Sequence, residues 1–120
     1  MEQLRYIFSG SRRWTDKKAV KRVLKTLPKN SVIVHGGASG LDAIVGSLAI
    51  KHGFTIEVYP AKWKKWGKHA GPRRNQEMVN LGAVSVFAFP VTESKGTWDL
   101  VFKACAAGIP VSIIPENLTN

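Results

Sequence analysis

Cysteine is nearly absent, at one residue in 120. A lone thiol excludes an internal disulfide framework and makes a reducing, cytoplasmic setting the expectation. No run of 18 apolar residues occurs, so no membrane-spanning helix is expected. The opening residues, MEQLRYIFSGSRRW, lack the basic-then-apolar layout of a secretory leader. Repeats, low-complexity stretches and linkers are missing too, so residues 1–120 are expected to form a single domain. Acidic residues are scarce. Eight Asp and Glu stand against 18 Lys and Arg, a formal net charge of +10. That excess attracts polyanions without selecting among nucleic acid, nucleotides, acidic lipids and acidic proteins. His35, His52 and His69 have no metal-ligand spacing, so neither a metal nor a cofactor is expected.

What is present is ordinary in bulk and uneven in placement. At 44% hydrophobic and 22% charged residues the chain has a globular composition. Residues 12–29 carry eight basic residues and residues 62–74 carry six, which leaves only four for the rest of the chain.

Short apolar segments alternate with helical patterns. Residues 4–8 read as a strand ending at Ser9-Gly10-Ser11. Asp16 then caps a helix to about Leu27, with Val20, Val23, Leu24 and Leu27 on one stripe and lysines on the solvated face. Residues 32–34 form a β-branched strand entering His35-Gly36-Gly37-Ala38-Ser39-Gly40. Residues 41–51 form a helix with almost no polar face, which predicts cover over much of its circumference. Residues 54–59 alternate as a half-buried edge strand, with Phe54, Ile56 and Val58 on the apolar side. Residues 61–71 read as a loop, Pro72 as the first residue of a helix, and 73–81 as its body. Residues 84–89 read as a central strand. Thr97 caps a helix over 98–107, residues 111–114 form the last strand, and 115–120 a polar tail. Strict alternation predicts an α/β fold: a three-layer, Rossmann-like, doubly wound parallel sheet of five strands in the order 3-2-1-4-5.

In such a sheet all strand-to-helix turns leave one edge. The predicted turns, 9–15, 35–41, 60–72 and 90–97, hold seven of the eleven glycines, and Trp14, Trp63, Trp66 and Trp98 lie in or beside them. Glycine allows close approach of backbone N–H groups to an anion. Arg and Lys add charge-assisted hydrogen bonds. Trp either anchors a loop or stacks on a base, the latter worth about 1–3 kcal/mol in nucleic-acid complexes. The ingredients suit a nucleotide-like ligand. The 35–40 stretch is neither a dinucleotide fingerprint nor a Walker loop.

The segments SGSRRWTD, VHGGASGLD, YPAKWKKWGKHAGPRRNQEM and AFP…SKGTWDLVFKA, with the closing AGIPV, resemble the YspA-type branch of the SLOG superfamily over residues 4–114. The resemblance implies a Rossmann-like domain that binds a nucleotide or nucleotide-derived molecule. It marks Gly10, Ser11, Arg12 and Trp14 in the first turn, and His35, Gly36, Gly37, Gly40 and Asp42 in the second. It marks Trp63, Gly71, Arg74 and Asn75 around the third, and Lys95, Gly96 and Thr97 in the fourth. Three departures stand out. Arg13 replaces an acidic residue, Ser39 replaces Arg, and Val91-Thr92-Glu93-Ser94 replaces a pair of glycines. The catalytic Glu of the related Lonely-guy phosphoribohydrolases corresponds to Leu100, which cannot do acid–base work. Asp99, one position away, is expected to point elsewhere.

These readings lead to a stand-alone ligand-binding domain, a sensor or sequestering protein of the kind a phage would carry, without a catalytic residue. Hydrolysis of a nucleotide is one alternative. Single-stranded nucleic-acid binding, as in the related DNA-processing protein A, is the other. A homodimer or higher oligomer through the last helix is also implied, with Trp98, Phe102 and Cys105 as candidate contacts.

Overall fold

The computed structural model of the chain describes residues 3–116, so the end of the expected polar tail lies outside the described residues. Strand β1 spans Leu4–Gly10, helix α1 Lys17–Leu24, β2 Ser31–His35, α2 Leu41–Lys51 and β3 Thr55–Val58. Helix α3 follows over Trp63–Trp66, then a 3₁₀ turn over Gly67–His69 and helix α4 over Ala70–Asn80. Strand β4 spans Ser85–Phe89, α5 Lys95–Ala106 and β5 Val111–Ile113. The five strands form one sheet in the order β3-β2-β1-β4-β5, and every adjacent pair is parallel. The fold is the expected Rossmann-like one.

Period-two alternation along the inner strands supplies two cores. Tyr6, Phe8, Ile33 and Phe89 face α1 and α2, and pack with Val20, Leu24, Leu41 and Val45. Ile7, Val32, Val34 and Val86 face the other way, against Met78 and Val79 of α4 and Leu100 and Ala104 of α5. Phe8 and Phe89 are fully buried, and each such side chain contributes roughly 1.5–3 kcal/mol. Asp16 caps α1 as expected, accepting the Ala19 N–H at 3.2 Å.

Several boundaries differ from the sequence reading. Helix α1 stops at Leu24, and the following turn brings partly buried Leu27 back against the core. Residues 61–71 are not a loop, because WKKW winds into α3 and α4 already starts at Ala70. Pro72 therefore stands third in α4, still within the first turn, where a missing N–H costs no intrahelical bond. Helix α5 starts at Lys95, so Thr97 is a buried first-turn residue rather than the cap. Helix α2 is covered on one side only, and its Ile50 is 69% exposed. In β3, Ile56 packs inward, but Val58 is exposed while Glu57 is partly buried. Glu57 accepts from Arg5 of β1 and from the Tyr59 hydroxyl, which ties this edge strand across the sheet.

The turns after β1 and β2 are locked together at Gly40. Its φ is +72° and its ψ −123°, a region open essentially to glycine. A Cβ there would lie 2.4 Å from the Arg12 carbonyl carbon and oxygen. Gly96, in the first turn of α5, has open space where a Cβ would stand, with nothing within 4 Å. Gly40→Ala is therefore expected to lower stability by at least about 2 kcal/mol, and Gly96→Ala to raise it by up to about 1 kcal/mol. Urea denaturation of both variants measures this, and equal effects would contradict the assigned contact.

Candidate functional site

Strands β1 and β4 lie side by side, yet their following helices cover opposite faces of the sheet. Their outgoing turns must therefore diverge, and a crevice opens between them. A cleft of about 790 Å³ occupies that point. One wall is Ser9–Arg13 from the turn after β1. The opposite wall is Glu93–Thr97 and Asp99 from the turn before α5 and its first turn. Ala38 and Asp42 come from the turn before α2, and Trp63, Lys68 and Gly71–Asn75 from the third connection, with Arg73 left outside.

Arg74 ties the second connection to the third. Its Nη1 donates to the Gly36 carbonyl at 2.7 Å and to the Tyr59 carbonyl at 3.4 Å, and its Nε donates to Asn75 Oδ1 at 3.0 Å. Gly36 has to lack a side chain, since a Cβ there would fall 1.9 Å from Arg74 Nη1. Buried Asn75 passes the connection on. Its Nδ2 donates to the Gly96 carbonyl and to Asp99 Oδ2, both at 3.0 Å. Asp99 also accepts from Lys103 Nζ at 2.7 Å. Ser11 closes the first turn: its carbonyl accepts from Trp14 and Leu41, and its Oγ from the Arg13 N–H.

The fourth turn departs from a glycine-rich phosphate loop, as its composition implied. Glu93 has φ +60°, the left-handed conformation that glycine adopts without strain. Ser94 Oγ is used inside the turn, accepting from the Val91 N–H and donating to the Val91 carbonyl. It therefore leaves the first N–H groups of α5 without a side-chain cap.

Five cations line the cleft, Arg12, Arg13, Lys68, Arg74 and Lys95, against three carboxylates, Asp42, Glu93 and Asp99. Asp42 is buried, and the loss of hydration pushes its pKa up to about 6. The Ala38 N–H at 3.2 Å and the charges of Arg74 and Arg12 oppose that rise. Burial also lowers the pKa of Arg74, which the Asp42 charge counters. His35 is pushed down by burial and by Arg74, which favours the neutral ring whose Nδ1 accepts the Gly37 N–H at 3.0 Å.

Of the residues expected at the site, Gly10, Ser11, Arg12, Asp42, Trp63, Arg74, Asn75, Lys95, Gly96 and Thr97 line the cleft together, with Gly71 beside them. Trp14, His35, Gly36, Gly37 and Gly40 do not. The Trp14 ring is only 2% exposed and packs edge-on against Phe89 at 5.2 Å, with its indole N–H donated to the Asp16 carbonyl. It anchors the turn and cannot stack on a ligand. His35 lies under α2, where a Cβ on Gly46 would come within 3.0 Å of Nε2. Sequence reasoning missed Ser9, Arg13, Ala38, Lys68, Pro72, Glu93, Ser94 and Asp99. The two charge clusters carried a signal for Arg13 and Lys68. The expectation for Asp99 is reversed: Leu100 is fully buried in the core and Asp99 lines the cleft. Trp98 and Phe102 are exposed on α5, as is Cys105. Among the described residues no helix is long and apolar enough to cross a membrane.

The architecture defines an α/β domain with a cationic cleft at the switch point of a parallel sheet. Residues 4–66, just over half the chain, match the YspA, cpYpsA-related SLOG family, and the chain belongs to that family. It is 40% identical over 116 residues to the Gene 61 protein of Mycobacterium phage D29, an alignment covering 89% of this chain and 93% of the phage protein. DNA processing protein A from Streptococcus pneumoniae has the same fold, with a TM-score of 0.78 at 22% identity. That match covers 98% of this chain and 52% of the other, so the chain spans about half the length of its structural neighbour.

A carboxyl group with pKa about 6 when folded and 3.8 when unfolded binds its proton more tightly in the folded state. Between those values its contribution to stability grows as pH falls and is lost as pH rises through 6. The stability of the wild type relative to Asp42→Asn is thus expected to rise by about 2 kcal/mol from pH 8 to pH 4.5. Comparison with the variant cancels the opposing contribution of His35. Urea unfolding at both pH values measures the difference, and a pH-independent gap would contradict the burial of Asp42.

Proposed function

We propose that the chain binds a nucleotide or nucleotide-derived phosphorylated molecule in this cleft, and serves to sense or sequester it rather than to turn it over. The observation that carries the reading is the convergence of all four strand-to-helix connections on one cleft with more cations than carboxylates. Arg12 and Lys95 are exposed there and enter neither of the two ion pairs found among the described residues. They are available to phosphate oxygens, where charge-assisted hydrogen bonds are the strong ones. Trp63 is 49% exposed at the same cleft, with the Arg12 guanidinium 5.6 Å from its ring centroid. It offers a flat face to a base. Family membership supports a nucleotide-class ligand. The structural neighbour is a DNA processing protein, which supports nucleic-acid chemistry in the same fold.

Calorimetric titration with nucleoside mono- and triphosphates and ADP-ribose tests the reading. At least one is expected to bind. Arg12→Ala should then weaken it about tenfold, or about 1.4 kcal/mol, with little change in thermal midpoint, since the Arg12 side chain is exposed. Failure of the whole panel, or an unaffected Arg12→Ala, would count against it.

One observation favours a second reading, hydrolysis of the bound nucleotide: Asp99 lines the cleft within hydrogen-bond reach of Asn75. Its Oδ2 already accepts from both Lys103 Nζ and Asn75 Nδ2, so these contacts hold the side chain in the network that shapes the cleft wall. Incubation with nucleoside monophosphates is expected to release no free base. Release that Asp99→Asn abolishes would replace the binding reading with the hydrolytic one.

A further inference from the structure

A second cleft, of about 620 Å³, runs beside α4. Arg73, Gln76, Asn80 and the C-cap Leu81 line it from the helix. Lys62, Lys65 and Trp66 line it from the connection that leads into the helix. One end is cationic. The Arg73 guanidinium lies 3.6 Å from the Trp66 ring centroid and Lys65 Nζ 5.0 Å from it. The indole is thus already covered, and what it does is gather like charges beside Lys62. A guanidinium on a ring face keeps its in-plane N–H groups for a carboxylate. Lys62, Lys65 and Arg73 enter neither of the two ion pairs found among the described residues. Further along α4 the cleft offers amides. Gln76 and Asn80, one turn apart, share a hydrogen bond from Nε2 to Oδ1 at 2.8 Å. That bond leaves Gln76 Oε1 to accept and Asn80 Nδ2 to donate, the pair that a peptide backbone satisfies. At the far end Leu81 is 53% exposed. Arg73 to Leu81 covers about 12 Å along the helix axis, the reach of about four residues of extended chain.

We propose that this second cleft docks an extended, acidic peptide segment of a partner protein. Its carboxylates meet Arg73, Lys62 and Lys65, its backbone meets Gln76 and Asn80, and an apolar side chain rests on Leu81. The inference goes beyond the nucleotide reading and does not depend on it. Charge complementarity selects an acidic partner, and the amide pair and the apolar end select a peptide. A nucleic-acid strand would find a covered indole where it needs a stacking face, and would leave Leu81 unused. A second copy of this chain, at a net charge of +10, would bring like charge to the cationic end. The dimensions also set the sequence of the guest: an acidic pair and a bulky apolar residue with about three residues between them.

The test is fluorescence anisotropy of labelled peptides titrated with the full chain at fixed low salt. Each peptide is built of Ser and Gly and carries a Glu pair and one Leu, separated by zero to six residues and in either order. Affinity is expected to peak near a separation of three, about tenfold above the peptide with adjacent Leu and above one without Leu. Arg73→Gln and Gln76→Ala should each remove most of that gain. Gln76 is exposed and Ala favours a helix, so the second variant keeps the test valid should the first disturb α3. Lys25→Gln, which removes one charge from the outer face of α1, should leave every peptide within about twofold. Equal affinity at all separations, or equal losses on Arg73→Gln and Lys25→Gln, would reduce the attraction to diffuse charge and overturn the inference. So would an optimum that survives Gln76→Ala in folded protein. Binding of tetrathymidylate tighter than every peptide and lost on Arg73→Gln would give the cleft to nucleic acid instead. A dimer in sedimentation that Gln76→Ala disperses would give it to a second copy. Both results would overturn the peptide assignment, and neither bears on the first cleft.

Discussion

The guanidinium of Arg74 against the Gly36 carbonyl is the contact on which the cleft depends. It joins α4 to the turn after β2 across the carboxyl edge of the sheet. Through Asn75 the same contact reaches Gly96 and Asp99 on α5. It adds the third and fourth connections to the first two, which are already joined by the Leu41 N–H donated to the Ser11 carbonyl. The arrangement demands a glycine at 36, because any side chain would occupy the space of the guanidinium. It also places a buried positive charge near Asp42, which adds to the Ala38 N–H in opposing the rise in carboxyl pKa that burial causes. Structure and electrostatics of the site therefore share one origin.

The topology explains why the cleft lies where it does. Helices α1 and α2 cover one face of the sheet and α4 and α5 the other, so the turns after the neighbouring strands β1 and β4 part. Trp14 secures the first of those turns from within the core, and the Ser94 hydroxyl ties the second into a closed loop. The result is a crevice whose bordering turns are held by packing and hydrogen bonds, with long, charged side chains among its lining. That division suits a ligand recognised by charge and by a flat ring.

Much of this was legible in the chain itself. Alternation of β-branched and aromatic runs with helical stripes specified a parallel sheet, the apolar–polar alternation of residues 54–59 marked an edge strand, and the mostly apolar run 84–89 a central one. Asp16 announced the start of α1 because its carboxylate bonds the helix backbone directly. What was not legible came from tertiary contact. WKKW folds as a helix although no side chain caps it, because Trp63 packs over Gly71 and Trp66 against Arg73. Thr97 looked like a cap, but the Ser94 turn brings the helix start three residues earlier and Thr97 is buried. Asp99 was expected to point elsewhere, but packing of α5 on the sheet buries its neighbour Leu100 in the core and leaves Asp99 at the cleft. Among the expected site residues, Trp14 and the glycines at 36, 37 and 40 serve the loops, whereas the long cationic side chains reach the cleft.

The central claim is that the crevice between the turns after β1 and β4 holds a phosphorylated nucleotide, rather than the chain's positive charge acting diffusely. Titration of isotopically labelled protein with a nucleoside monophosphate, followed by backbone amide chemical shifts, tests it most directly. The account predicts saturable shifts concentrated at Gly10–Arg13 and Lys95–Thr97, with the lysine-rich outer face of α1 unmoved. Shifts spread along Lys17–Lys25, or none in the two turns, would contradict it.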